Sequence, residues 1–172
     1  MRPFLALLLL SPTLACRSVP LPPETPEESK ARVSAALDAL HSAAARADTL
    51  YFSLFAPEAV FYGTDASERW TLTEFRAYAE PIFARGQGWT YVSTERHVFL
   101  DADGDTAWFD ERLENKKYGE VRGSGVLVLR NGAWLVAQYN LAFPVPNTLA
   151  TDLVERIRSL GVKPLEETQG SP

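Results

Sequence analysis

The sequence predicts one α+β domain in which helices pack against one face of an antiparallel sheet. Three observations predict it. Apolar residues recur at helical spacing in the first half of the chain, they alternate at strand spacing from Trp89 onward, and Asn131-Gly132 separates two alternating runs. Asn-Gly in that position is a strong signal for a β-hairpin. Helices grouped before strands indicate α+β rather than a parallel α/β sheet.

Two capping boxes mark helix starts. Thr25 and Glu28 form the first, with Pro26 at the first helical position, and predict a helix over 26–46. Thr71 and Glu74 form the second and predict a helix that continues to residue 86.

Shorter elements connect these helices to the sheet. Asp48 can cap a short helix that ends near Leu54, because Pro57 prevents a longer one. Pro81 is expected to kink the second long helix. We predict a short strand at 59–62, four long strands at 89–100, 106–117, 120–130 and 133–143, and a closing helix at 148–160.

Composition excludes several classes of protein. The 172 residues are 46% hydrophobic and 11% aromatic, so the chain can bury a core and is not a disordered protein. The net charge of −5, with no Lys/Arg block, argues against a nucleic-acid partner. A single cysteine excludes an internal disulfide, and two histidines argue against a Cys/His zinc site. We therefore expect no metal and no cofactor.

The N-terminus is predicted to carry an export signal. A short apolar run at 4–10 follows Arg2 and leads to Thr13-Leu14-Ala15-Cys16, which resembles a bacterial lipobox. On this interpretation 1–15 is a signal peptide, Cys16 is lipidated, 16–26 is a proline-rich tether, 27–160 is the domain and 161–172 is a loose tail. The protein would then be anchored in the cell envelope, facing the periplasm or the exterior. The alternatives are secretion after cleavage behind Ala15, or a structural N-terminal helix with a buried cysteine.

Several segments resemble one fold superfamily. They are 55–65, 68–70, 106–110, 122–126 and 134–140. Together they resemble the SnoaL-like branch of the nuclear transport factor 2-like superfamily over about 30–143. The resemblance implies a cone, with N-terminal helices packed on a curved antiparallel sheet around a cavity, and it is compatible with a homodimer. That superfamily includes isomerases, epoxide hydrolases, polyketide cyclases, assembly domains and binders.

The strand register provides one candidate catalytic pair. A five-residue turn over 101–105 would set Val98 opposite Trp108 and Arg96 opposite Asp110. If that face lines the cone, Asp110 is a general base and Arg96 stabilises developing negative charge. The alternative is a structural ion pair at the edge of the sheet.

Other side chains are candidates for ligand binding. Many SnoaL-like relatives carry histidines on the last strand, where this chain has Gln138 and Asn140, and amides do not transfer protons near neutral pH. In an uninterrupted strand both side chains would face the same side of the sheet as Trp134, which we expect in the core. The predicted ligand-binding residues are Tyr62, Trp108, Arg122, Gln138 and Asn140. His41 is expected to face solvent.

Three functions follow from these observations. The first is an envelope lipoprotein whose cone binds a small apolar or amphipathic ligand without catalysis. The second is an isomerase, cyclase or hydrolase that uses Asp110 with Arg96. The third is a non-catalytic homodimeric assembly module, which requires an apolar patch on the open face of the sheet.

Overall fold

The computed structural model describes residues 24–161 and contains three α-helices, one 3-10 helix and six strands. Cys16 and the tail beyond Gly161 lie outside these residues. The elements in chain order are α1 Pro26–Ala45, a 3-10 helix Thr49–Leu54, β1 Phe55–Tyr62, β2 Arg69–Thr71, α2 Leu72–Phe83, β3 Val92–Leu100, β4 Thr106–Asn115, β5 Gly119–Arg130, β6 Ala133–Ala142 and α3 Asn147–Ser159.

The six strands form one curved sheet in the order β2-β1-β6-β5-β4-β3. The predicted α+β class and its meander of four long strands are confirmed. Two features differ from the prediction. β1 pairs with β6 in parallel, and β2 adds an edge strand that was not among the predicted strands. With three residues, β2 is too short to show an alternating pattern.

Both predicted capping boxes are formed. In each, the threonine hydroxyl accepts a bond from the glutamate backbone N–H at 3.3 Å, and the glutamate carboxylate accepts from the threonine backbone N–H at 2.8 Å. Asp48 caps the 3-10 helix through the backbone N–H of Leu50. These local signals fix where the helices begin, and α2 ends at Phe83 rather than at residue 86.

The core lies between the helices and the inner face of the sheet. α1 contributes Val33, Leu37 and Leu40, all buried. Aromatic rings fill the remaining space, and Phe61 stacks on Phe75 with centroids 4.0 Å apart and on Tyr139 at 5.6 Å. The cone is therefore largely filled by side chains near its centre.

The β3–β4 register differs by one residue from the prediction. Asp101 pairs with Thr106, and its carboxylate accepts the backbone N–H groups of Gly104, Asp105 and Thr106. The turn therefore contains four residues rather than five. As a result Arg96 lies opposite Glu111, and the predicted Arg96–Asp110 and Val98–Trp108 pairs are wrong.

A β-bulge interrupts β6. Val126 pairs with Gln138 and Leu127 pairs with Val136, so Ala137 has no partner on β5. An extra residue of this kind changes which later positions face inward. Trp134 is buried, as predicted, but Tyr139 rather than Gln138 continues the inner face.

Helix α3 forms close to its predicted position but does not close the domain. None of its residues is buried, and its apolar stripe is exposed at Leu149, Leu153 and Ile157. Its apolar spacing is sufficient to predict the helix but carries no information about a packing partner. Over residues 24–161 no helix has both the length and the apolar character needed to span a bilayer.

Candidate functional site

A cleft of about 290 Å³ opens at the wide end of the cone. It is bounded by the end of β1, β2, α2, the segment before β3, the β4–β5 turn and β6. Its wall consists of Phe61, Gly63, Thr64, Glu68, Trp70, Phe75, Tyr78, Trp89, Tyr91, Tyr118 and Leu141. Seven of these are aromatic, so the cleft has the apolar wall and few polar groups typical of small-molecule sites.

Glu68 supplies the carboxylate of the cleft. Its Oε2 accepts the backbone N–H of Asp65 at 3.1 Å, which holds the side chain across the turn. Gly63 makes this position available, because a Cβ there would collide with Glu68 Oε2. The missing side chain at Gly63 therefore sets the place of the only charged group that lines the cleft among residues 24–161.

Tyr91 is a neutral hydrogen-bond donor in the cleft near neutral pH. Burial raises the pKa of Tyr91, and the nearby Tyr118 and Glu68 raise it further. Tyr91 therefore offers a hydroxyl proton rather than a negative charge. The cleft combines aromatic rings, hydroxyl groups and one carboxylate.

A smaller pocket lies deeper in the cone. It shares Phe61, Trp89, Tyr91 and Leu141 with the cleft and adds His41 at its inner end. Its volume is only about 20 Å³, which suffices for about one water molecule. A ligand in the cleft therefore meets a floor of side chains rather than a deep tunnel.

Behind this pocket lies a buried polar network centred on Glu111. Glu111 Oε1 is 2.8 Å from His41 Nε2 and accepts from the Tyr139 hydroxyl at 3.0 Å. Its Oε2 is 2.9 Å from both Nε and Nη2 of Arg96. Arg96 Nη1 donates to Asp38 and to the Ser34 carbonyl. The network joins α1 to three strands of the sheet.

Charge balance keeps Glu111 ionised. Burial by itself would raise its pKa, but the hydrogen bond and charge of His41 and the charge of Arg96 lower it below the ordinary value. Tyr139 responds in the opposite sense, because burial and then the Glu111 charge raise its pKa. Both carboxylate oxygens are engaged inside the protein, so Glu111 acts first as a structural anion.

Two inward-facing glycines of β5 allow close packing, and Gly123 makes room for this network. A Cβ at Gly123 would approach Glu111 Cγ to 3.0 Å and collide with the Tyr139 hydroxyl. One at Gly125 would collide with the Gln138 carbonyl. In the Arg122–Val126 segment, glycines therefore occupy the positions that face the core, and the residues that carry side chains face the outside of the sheet.

The predicted ligand-binding residues do not line the cleft. All five lie on the outer face of the sheet: Tyr62, Trp108, Arg122, Gln138 and Asn140. On that face Asn140 pairs with Ser124 and with Tyr62, and Arg122 pairs with Arg112 and with Ala142. Placing them in the cone was wrong. The bulge at Ala137 accounts for the two amides, and the shorter β3–β4 turn accounts for Trp108.

The candidate catalytic pair is also divided between the two faces. Asp110 lies on the outer face with its side chain 55% exposed and pairs with His97 at 3.1 Å. Arg96 faces inward, to Glu111. An enzyme that uses Asp110 with Arg96 is therefore excluded by the geometry.

Three residues of the buried network were not among the predicted site residues: His41, Glu111 and Tyr139. His41 was expected to face solvent, but its side chain is 13% exposed and bonded in the core. One signal was present, because His41 follows Leu37 by four positions and so borders the apolar stripe of α1. Nothing local distinguishes Glu111 from Asp110.

The outer face of the sheet is mixed in character. Phe99 and Trp108 stack there with centroids 5.6 Å apart and are each nearly half exposed. Charged pairs lie farther along the same face, including Arg112 with Glu95 and Glu120. The face is neither fully polar nor a broad apolar patch.

Within the described part of the chain, no group of three or more His, Cys, Asp or Glu side chains could hold a metal ion.

The family model of the SnoaL-like domain matches residues 33–146, and the chain belongs to this family. Fold and site together therefore define a SnoaL-like cone with an aromatic cleft at its open end. No curated protein matches the sequence significantly.

Solved structures show the same nuclear transport factor 2-like fold. A proposed dehydratase of that family from Streptomyces avermitilis is 18% identical, with a TM-score of 0.60 over 71% of this chain and 100% of that one. A proposed calcium/calmodulin dependent protein kinase II association domain from Xanthomonas campestris is 25% identical, with a TM-score of 0.51 over 73% and 94%. A protein of unknown function from Pseudomonas putida is 13% identical, with a TM-score of 0.59 over 70% and 90%.

Proposed function

We propose that this protein binds a small apolar or amphipathic molecule in the cleft at the open end of the cone, without transforming it. The observation that carries the proposal is the cleft itself: about 290 Å³ of space, walled mainly by aromatic rings and open to solvent. The ionisable groups behind it bond to one another. A site built in this way supplies contact area and orientation rather than a free acid or base.

Binding is tested with the neutral fluorescent probe N-phenyl-1-naphthylamine. We expect saturable binding to the wild-type protein, weakened about fivefold or more by Trp70→Ala, since a buried aromatic contact contributes about 1–3 kcal/mol. Trp108→Ala is the matched control, because Trp108 lies on the outer face of the sheet. Equal weakening by the two substitutions, or binding that does not saturate, would reject the cleft as the site.

Acid–base catalysis is the second candidate, and one contact favours it. His41 lines the deep pocket and lies 2.8 Å from Glu111, and a histidine oriented by a carboxylate is a common general base. The dehydratase proposed for the Streptomyces avermitilis relative accords with this candidate. The small volume of the pocket around His41 makes binding the stronger of the two, because a substrate atom has little room beside the ring.

We further propose that the domain is held in the bacterial cell envelope by a lipid on Cys16. The support is in the sequence: Cys16 is the only cysteine, it follows an apolar run, and α1 begins ten residues later at Pro26.

Mass spectrometry of the mature protein from its host tests the anchor. We expect the N-terminal peptide to begin at Cys16 with the mass of a lipid added, and Cys16→Ser to move the protein from the membrane to the soluble fraction. An N-terminus at an unmodified Cys16 would reject the anchor and support plain secretion.

A further inference from the structure

The charge of the cleft is one-sided. Glu68 is a carboxylate in its wall, and no Lys or Arg among residues 24–161 lines it. From this asymmetry we propose that the ligand is an organic cation: an amine or quaternary ammonium group carried on an apolar body. The inference rests on the proposed binding function and specifies the chemical class of the ligand.

The aromatic wall suits a cation as well as an apolar body. Trp70 stacks on Tyr78 with centroids 5.0 Å apart, and Trp89, Tyr91 and Tyr118 line the same cleft. The face of each ring carries negative electrostatic potential and attracts a cation placed within about 6 Å of the ring centroid, most strongly for tryptophan. Several such rings around one space are the usual means of recognising a quaternary ammonium group.

One ring of the wall already binds a cation. Lys117 Nζ lies 4.7 Å from the centroid of Tyr118 and donates to its hydroxyl at 2.9 Å. Lys117 is not among the residues that line the cleft, so it leaves the space itself free. The contact shows that a ring of this wall is accessible to a positive charge.

Glu68 has a charge that the protein does not neutralise. It forms no ion pair with any residue between 24 and 161, and its Oε2 accepts only the backbone N–H of Asp65. The adjacent Arg69 is directed elsewhere, since its Nε donates to the Tyr62 hydroxyl. An unpaired carboxylate beside aromatic rings attracts a cation and repels a carboxylate or phosphate ligand, which would find no cation in this wall.

A pair of compounds that differ in charge and share a shape tests the proposal. 4-Hydroxyphenyltrimethylammonium and 4-tert-butylphenol are measured as competitors of N-phenyl-1-naphthylamine. We expect the cation to bind at least about tenfold more tightly, the ratio that cation–π contacts with a nearby carboxylate would produce. Glu68→Gln should reduce that ratio severalfold, while Asp110→Asn, which removes a carboxylate from the outer face, should leave it unchanged.

The outcomes separate this inference from the binding function. Equal affinity for the two compounds, or failure of both while the naphthylamine still binds, overturns the cation proposal and leaves a binder of neutral molecules. Failure of all three overturns both proposals. An unchanged ratio in Glu68→Gln that has wild-type circular dichroism also overturns the assignment of Glu68.

Discussion

Replacing Glu111 with glutamine is expected to lower the free energy of unfolding by about 3–5 kcal/mol, the usual cost of removing one partner from a buried ion pair. Arg96, whose side chain is 10% exposed, would lose its buried carboxylate partner and keep only the exposed Asp38. The amide would also match only some of the hydrogen bonds that the carboxylate accepts. Urea unfolding followed by tryptophan fluorescence measures the change.

Asp110→Asn is the matched control because it changes the adjacent carboxylate on the other face. Its partner, His97, is more than half exposed, and exposed pairs contribute about 0–1 kcal/mol. We expect its unfolding free energy to stay within about 0.5 kcal/mol of wild type. Similar losses in the two variants would contradict the central role of the buried network.

The pH dependence of the same variant has a definite sign. The pKa of Glu111 is lower in the folded protein than its ordinary value, so the folded state holds this proton less tightly than the unfolded state does. The stability that Glu111 contributes is therefore complete above the ordinary glutamate range and is lost as the pH falls through the lowered value. Glu111→Gln should unfold with a shallower loss of stability in acid than wild type.

Phe75→Ala is the second substitution for which we expect a large effect, about 3–5 kcal/mol of unfolding free energy. Phe75 is 2% exposed and stacks on Phe61 at 4.0 Å, so its loss removes a central ring and leaves a cavity that the rigid sheet cannot fill. Because Phe75 also lines the cleft, the cavity should merge with it. Thermal and urea unfolding measure the first effect.

Tyr78→Ala provides the comparison for Phe75. Tyr78 belongs to the same helix and the same cleft but is 50% exposed. Its truncation should cost much less than that of Phe75, by about 2 kcal/mol or more, since exposed surface contributes little to burial energy. Equal destabilisation by the two substitutions would show that the core does not depend on the Phe61–Phe75 stack.

Much of the fold could be predicted because its signals are local. Thr25 with Glu28 and Thr71 with Glu74 determine helix starts by hydrogen bonds within four residues, and Asn131-Gly132 determines a hairpin by backbone conformation. These helix starts and this turn depend only on neighbouring residues, so they can be predicted without knowing how the rest of the chain folds.

The candidate site could not be predicted in the same way. Which face of the sheet a side chain occupies depends on the length of every turn and bulge near it, so one misjudged residue reverses the predicted face for the rest of the strand. One residue fewer in the Asp101–Thr106 turn exchanged Asp110 for Glu111 as the partner of Arg96. One extra residue at Ala137 moved Gln138 and Asn140 to the outer face. Neither a turn closed by the Asp101 carboxylate nor a bulge at an alanine has a distinctive sequence signature.

The bulge at Ala137 has a consequence for how this protein can change. Without Ala137, the sequence Val136, Gln138, Tyr139 would alternate inward, outward and inward as an ordinary strand does. A deletion of Ala137 alone would therefore leave Val136 and Tyr139 pointing inward. The deletion would instead straighten the ladder, because a bulge bends its strand and increases the twist. β1 pairs with β6 on both sides of this point. The bulge therefore bends β6 beside β1 at a position that does not line the cleft, so chain length there can change the shape of the sheet without changing the side chains of the cleft wall.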